Sequence, residues 1–276
     1  MAGPTKLLDA QQARRLGSQD SVLTIGEEAK SPGAWAGRRL LSVSGAPAFE
    51  LSYWCGTCPF LFQRLEGSNG TQSIDELQTK LSDGLSGVDD AVIAAFEPLL
   101  PIGSYVPLLL EIQPTLTHPV KPGDYFAEEQ DATWKSSSGF WGLPENPRTP
   151  YYRGDTRQLD EENTLFEFVV PMVPPNWNDR SKVEAHAKRL AISSQLTCVA
   201  LSVLDVRQRA FADTPEEALI HWGLAHFLLD GHHKIEAAAA AGSRLQILSL
   251  LSIEHSLADD AAVERIVDSL AGRRSR

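Results

Sequence analysis

Two short stretches of this chain gather residue types that do chemistry. In "DGHHK", residues 230 to 234, a carboxylate, a glycine, two adjacent imidazoles and an amine precede an alanine-rich run that ends at Gly242. If that run is a helix, its start has about four backbone N–H groups without an intrahelical partner and about half a positive charge, so it draws anions, phosphate above all. Gly231 lets the backbone approach a ligand closely, Lys234 adds a cation in the first turn, and His232 and His233 supply further donors. Asp230, at the end of the preceding strand, is the natural metal-side or base-side group. The expected occupant is a phosphate-bearing ligand, with a Mg²⁺ ion on the Asp230 side. The plain alternative is an Asp-Gly bend whose His residues cap the helix or face water.

The second stretch is "WCGTCP", residues 54 to 59. Cys55 and Cys58 sit ahead of Pro59, which is tolerated as a first helical residue, so both thiols would lie at the positive end of a helix. That position favours thiolate and serves either disulfide exchange or metal binding. W-C-x-x-C looks like the thioredoxin active site, but the flanks lack the βαβ unit that fold requires. A closed zinc site needs about four ligands; this pair supplies two, leaving His residues near 221 to 233 to complete it. Two reduced structural thiols is the third reading.

These turns need elements to hold them. "RRLLSVSGAPAFELSYW" reads as a β-hairpin divided at Gly-Ala-Pro, and "FLFQRLEG" as a short helix ending at Gly67. The first 30 residues read as a loosely ordered segment with helical periodicity around "LLDAQQARRLG". Residues 74 to 97 hold two helical stretches with Ser73 and Asp89 as N-caps. Twelve of the 17 prolines fall between 98 and 175, so the middle should be short edge strands such as "YVPLLLEIQP" and "LFEFVVPMVP" joined by loops. Trp134, Trp141, Tyr151 and Tyr152 read as anchors of the longest loop. The last third reads strand, strand, helix, strand, helix, with Gly242 closing the first helix in the left-handed conformation. His221, Trp222 and His226 alternate along a strand, with His226 and Trp222 on one face, as buried, hydrogen-bonded residues.

The run "LLDGHHKIEAAAAAG" followed by "LQILSLLS" resembles the second box of the ParB/sulfiredoxin-like fold. There a strand ends in a Gly, a short polar motif opens a helix, and the turn holds nucleotide phosphates. The resemblance covers residues 196 to 255 and is nearest to the D-G-H-x-R form of kinases acting on free serine, with Asp230, Gly231, His232 and Lys234 at the motif positions and Lys in place of Arg. It implies phosphoryl transfer or nucleotide hydrolysis. A sulfiredoxin would carry Cys where His232 stands. The DNA-binding region of chromosome-partitioning relatives is not expected in the 34 residues after Gly242. The fold class expected is α+β, a small mixed sheet with packed helices. It divides into the segment 1–30, an α+β region 31–180 carrying the CxxC hairpin and the Pro-rich middle, and the ParB/sulfiredoxin-like part 181–276.

Composition bounds the function. With 42% hydrophobic and 22% charged residues the chain is an ordinary globular one. A net charge of −11 argues against broad attraction to nucleic acid. Neither a leader nor a membrane span is legible, and three cysteines suit a reducing compartment, so a cytoplasmic protein is expected. The terminal "GRRSR" reads as a solvated basic tail. No P-loop, G-x-S-x-G elbow or H-E-x-x-H occurs. If not a nucleotide protein, the chain is a zinc or thiol-redox protein centred on the CxxC, or a non-catalytic interaction module.

Overall fold

A computed structural model describes residues 3–28, 38–51, 63–117, 123–124, 128, 149–192, 195–207 and 220–273. Along the chain the strands and helices are β1 (Lys6–Ala10), β2 (Arg14–Leu16), β3 (Leu23–Glu28), β4 (Arg38–Val43), β5 (Ala46–Glu50), β6 (Gln63–Arg64), α1 (Gln78–Asp83), α2 (Asp90–Phe96), β7 (Gly103–Ile112) and β8 (Thr115–Thr117). They continue as β9 (Tyr151–Gln158), β10 (Asn163–Pro171), α3 (Arg180–Ile192), β11 (Thr197–Arg207), β12 (Ile220–Asp230), α4 (His232–Ala241), β13 (Leu245–Ser252) and α5 (Asp260–Leu270). The class is α+β. No helix among these residues is long and apolar enough to cross a membrane.

Nine strands form one mixed sheet in the order β1-β7-β13-β11-β12-β10-β9-β8, with β2 beside β1 on β7. β10 runs parallel to β12, and β11 parallel to β13, while β11 and β12 are antiparallel. A second sheet, β3-β4-β5-β6, packs on one face together with α1 and α2, around Leu41, Phe49, Phe96, Phe168 and Phe227. The other face is covered by α4 and α5 through Ile235, Ala238, Val263 and Ile266 against Leu108, Leu165, Ala200 and Leu228. With both faces buried, the inner strands are almost continuously apolar, and β13 is buried at every position.

The last third of the chain has the expected order of elements, and Gly242 ends α4 at φ +60°. The hairpin of β4 and β5 forms, but it turns at Ser44-Gly45, both at positive φ. That is the backbone pattern of a type I′ turn, whose twist suits two antiparallel strands; Ala46 and Pro47 belong to β5.

Four expectations are corrected. The first 30 residues supply β1 and β2 on β7 and β3 in the small sheet, because unpaired edge groups of β7 outbid a short helical pattern. Gln63 and Arg64 pair with β5 as a strand. β7 and β10 are interior strands, and the sheet itself is larger than expected. Pro107 is accommodated in β7 because its nitrogen faces the break between β1 and β2, where Gln11 N–H donates to the Pro107 carbonyl at 3.0 Å. The sheet takes strands from both sides of residue 180.

Candidate functional site

Parallel β10 and β12 end at the same edge of the sheet, a common place for ligands in sheets with parallel strands. Beyond those ends lies a cleft of about 180 Å³, bordered by 71–78, by the segment after β10, by α3 and by the D-G-H-H-K turn. All five residues of that turn line it.

Gly231 has φ +101°, and a Cβ there would stand 2.4 Å from Cys198 Sγ. Only glycine fits, so β11 and the start of α4 meet without a gap. Gly231 caps α4 without any side-chain hydrogen bond. Ile235 N–H returns to the Gly231 carbonyl at 2.9 Å, whereas the N–H groups of His232, His233 and Lys234 meet no acceptor among the described residues. These three orphan donors sit at the mouth of the helix dipole.

The charged members of the turn are committed elsewhere. Lys234 Nζ is buried, donating to the Thr197 carbonyl at 3.0 Å and to Asp230 Oδ1 at 3.2 Å. Asp230 Oδ2 accepts from Gln78 Nε2 at 2.8 Å. Burial pushes the Asp230 carboxyl up, but the Lys234 charge and hydrogen bonds from Ser73, Gln78 and Lys234 outweigh it and hold the group below its usual range. Ser73 therefore serves this carboxylate; Ile74, not Ser73, precedes the 3₁₀ turn leading into α1. Asp89 caps α2 as expected, accepting from Ala91 and Val92.

His232 is buried, and its Nε2 accepts from Met172 N–H at 3.1 Å. Burial pushes its pKa down to about 4, so the ring is neutral and carries its proton on Nδ1. His233 Nε2 accepts from Asp179 N–H at 3.1 Å, and burial followed by the Lys182 charge lowers its pKa. These imidazoles brace the segment after β10 against the turn.

Of the residues the motif did not reveal, His186 and Asn178 line the cleft, while Arg64 is outside its lining and holds the segment after β10. His186 on α3 has a buried Nδ1 with no hydrogen-bond partner among the described residues, and burial, then nearby Lys234, push its pKa down to about 4. Asn178 donates to the His232 carbonyl at 3.2 Å and to Glu236 at 2.7 Å. Arg64 donates to the Met172 carbonyl at 2.8 Å and to the carbonyls of Ser68 and Pro171. No described carboxylate pairs with Arg64, and its charge lowers the pKa of His232. The sequence signal for these residues is faint: one His in "VEAHAKR", an Asn in "PPNWND" and an Arg in a two-residue strand.

The donor set does not fit Mg²⁺. Asp230 is the one carboxylate among the described lining residues, and both its oxygens already accept protein hydrogen bonds. The same partners hold its pKa below the usual carboxylate range, which makes it a weak base. Cys55 and Cys58 lie outside the described residues, as do Trp134 and Trp141. Among the described residues, no group of three His, Cys, Asp or Glu could hold a metal ion. Cys198 is buried in the sheet against the Gly231 carbonyl, with its thiol pushed up to about 12 by burial. Tyr151 and Tyr152 are buried in β9.

A second cluster has residue types that suggest nucleophilic catalysis. Ser202 Oγ lies 2.7 Å from His226 Nδ1, and His226 Nε2 lies 3.3 Å from Glu167. Ser249 donates to Ser202 at 2.8 Å, and Thr5 and Asp155 N–H donate to Glu167. All are within the protein core and none lines the cleft. The chain of bonds ties the N-terminal segment to β10, β12, β11 and β13. Trp222 and His226 share one face of β12, while His221 is on the other against Phe166 at 5.1 Å.

Compared with protein-family models, with curated proteins and with solved structures, the chain matches none.

Proposed function

We propose that this protein binds a phosphate-bearing small molecule, a nucleotide, at the cleft before α4. The observation that carries this reading is the set of three orphan N–H groups of residues 232 to 234 opening on a cleft. An anion there satisfies donors that meet no acceptor among the described residues and gains from the helix dipole. The local charge does not oppose it: Asp230, the one carboxylate among the described lining residues, is offset by Lys234. The likeness of the turn to the phosphate-holding box of the ParB/sulfiredoxin-like fold points the same way. In this reading backbone N–H groups receive the phosphate, Lys234 and Asp230 hold the turn from behind, and His186 Nδ1, when protonated, supplies a further donor.

Differential scanning fluorimetry with AMP, ADP, ATP and inorganic phosphate, each with and without Mg²⁺, tests the reading. Ligand at a hundredfold excess over Kd adds about 2.7 kcal/mol of stability, so a clear rise in Tm is expected without any need for Mg²⁺. His233→Asp places a carboxylate at the same helix start, where it stabilises the helix and competes with the ligand. That variant should keep its Tm and lose at least about tenfold in affinity. A wild-type Tm unmoved by millimolar phosphate and nucleotide overturns the reading.

A further inference from the structure

We infer that Trp177 is the surface on which the base of the bound nucleotide lies, an inference that rests on the phosphate reading above and adds to it a preference for ligands with an aromatic ring. The cleft of about 180 Å³ is smaller than the roughly 300–1,000 Å³ of sites that enclose a whole drug-sized ligand. It therefore takes one end of its ligand, and the rest must cross the rim.

Trp177 is on that rim: it lines the cleft and yet keeps 60% of its surface exposed. Val173 and Trp177 are the two apolar side chains among the described lining residues, and both come from the segment after β10. The remaining lining side chains, Asn178 from that same segment and those from 71–78, from α3 and from the D-G-H-H-K turn, are polar. One wall is thus apolar and aromatic while the others offer donors, an arrangement matched to a ligand with a flat ring at one end and an anion at the other.

Single exposed apolar residues are common, but this one is held in position. Trp177 closes a 3₁₀ turn, Pro175–Trp177, in which its N–H donates to the Pro174 carbonyl at 2.9 Å and Asn178 N–H to the Pro175 carbonyl at 3.2 Å. Arg180 donates to the same Pro175 carbonyl at 3.1 Å. Asn178, the next residue, is tied to the His232 carbonyl and to Glu236. A turn fixed by the proline rings and by hydrogen bonds to α4 holds the backbone beneath the indole, so only the Trp177 side-chain torsions are left to order on binding. A base stacked on an aromatic ring is sequence-tolerant, so the surface selects a nucleotide over a sugar phosphate without choosing among bases.

Isothermal titration of the whole chain with AMP and with ribose 5-phosphate, which shares the phosphate and sugar but lacks the base, tests the inference. Wild type should bind AMP roughly tenfold more tightly than ribose 5-phosphate. Trp177→Ala should abolish that difference and leave ribose 5-phosphate binding unchanged, and Trp177→Phe should retain most of it. Equal wild-type affinities, or an AMP preference that survives Trp177→Ala, overturns the role of Trp177 while leaving the phosphate site standing. Binding of neither compound removes both.

Discussion

At the scale of single residues, the D-G-H-H-K turn separates into groups that support and groups that are available. Lys234 follows Asp230 by four residues, with its Nζ 3.2 Å from Asp230 Oδ1, and spends its charge there, so Lys234→Ala tests the architecture before it tests any ligand. Removing one member of a buried pair leaves the other charge uncompensated, at a cost of about 3–5 kcal/mol. Urea titration should show that loss for Lys234→Ala and a much smaller one for the double variant Asp230→Asn with Lys234→Met. Gly231→Val is no cleaner a probe, since φ +101° and the contact with Cys198 both forbid a side chain. His232 adds a pH dependence. Its folded pKa of about 4 is below the ordinary 6.5, so the folded state favours the neutral ring. The stabilisation is complete above pH 6.5 and is lost as the pH falls towards 4, because the unfolded chain takes up the proton first. On the order of 3 kcal/mol is at stake. Urea midpoints between pH 7.5 and pH 4 should fall more steeply for wild type than for His232→Gln, whose amide still accepts from Met172.

At the scale of elements, the N-terminal strands matter more than their polar sequence suggests. β1 and β2 cover the outer edge of β7, and Thr5 just before β1 donates to Glu167 in the core. Arg157 also reaches the Thr5 carbonyl at 2.7 Å. Deleting residues 1 to 10 should uncover the half of β7 that β1 pairs, Leu108 to Glu111, and strip a buried carboxylate of a donor. The expected result is a fall in Tm together with concentration-dependent association, read by light scattering; a monomer of unchanged Tm would show that β1 contributes little. The helical pattern of "LLDAQQARRLG" misleads because its leucines and alanines suit a helix face as well as an edge strand. Only the unpaired edge of β7, nearly a hundred residues away in the sequence, decides between them.

At the scale of the whole molecule, the site is a meeting of distant segments. The turn itself was legible: an apolar strand, a glycine, polar residues and an alanine run closed by Gly242 are local signals, and the strand–helix–strand order followed from them. The N-cap at Asp89 was legible for the same reason, since capping acts over three residues. The α+β class followed from the periodicities. What no local pattern contains is that 71–78, the segment after β10, and α3 converge on that turn. Trp177, His186 and Asn178 entered only through folding, because each is an ordinary residue in its own neighbourhood. The burial of Lys234 was equally hidden, since the sequence shows a cation in a first helical turn but not the Thr197 carbonyl that receives it. Side-chain type and short-range spacing thus determined a helix start suited to an anion, while long-range strand pairing decided which groups reach the cleft and which are consumed in building it. The physical reason is that capping and turn formation act across a few residues, whereas burial and ion pairing depend on neighbours that only the closed sheet brings together.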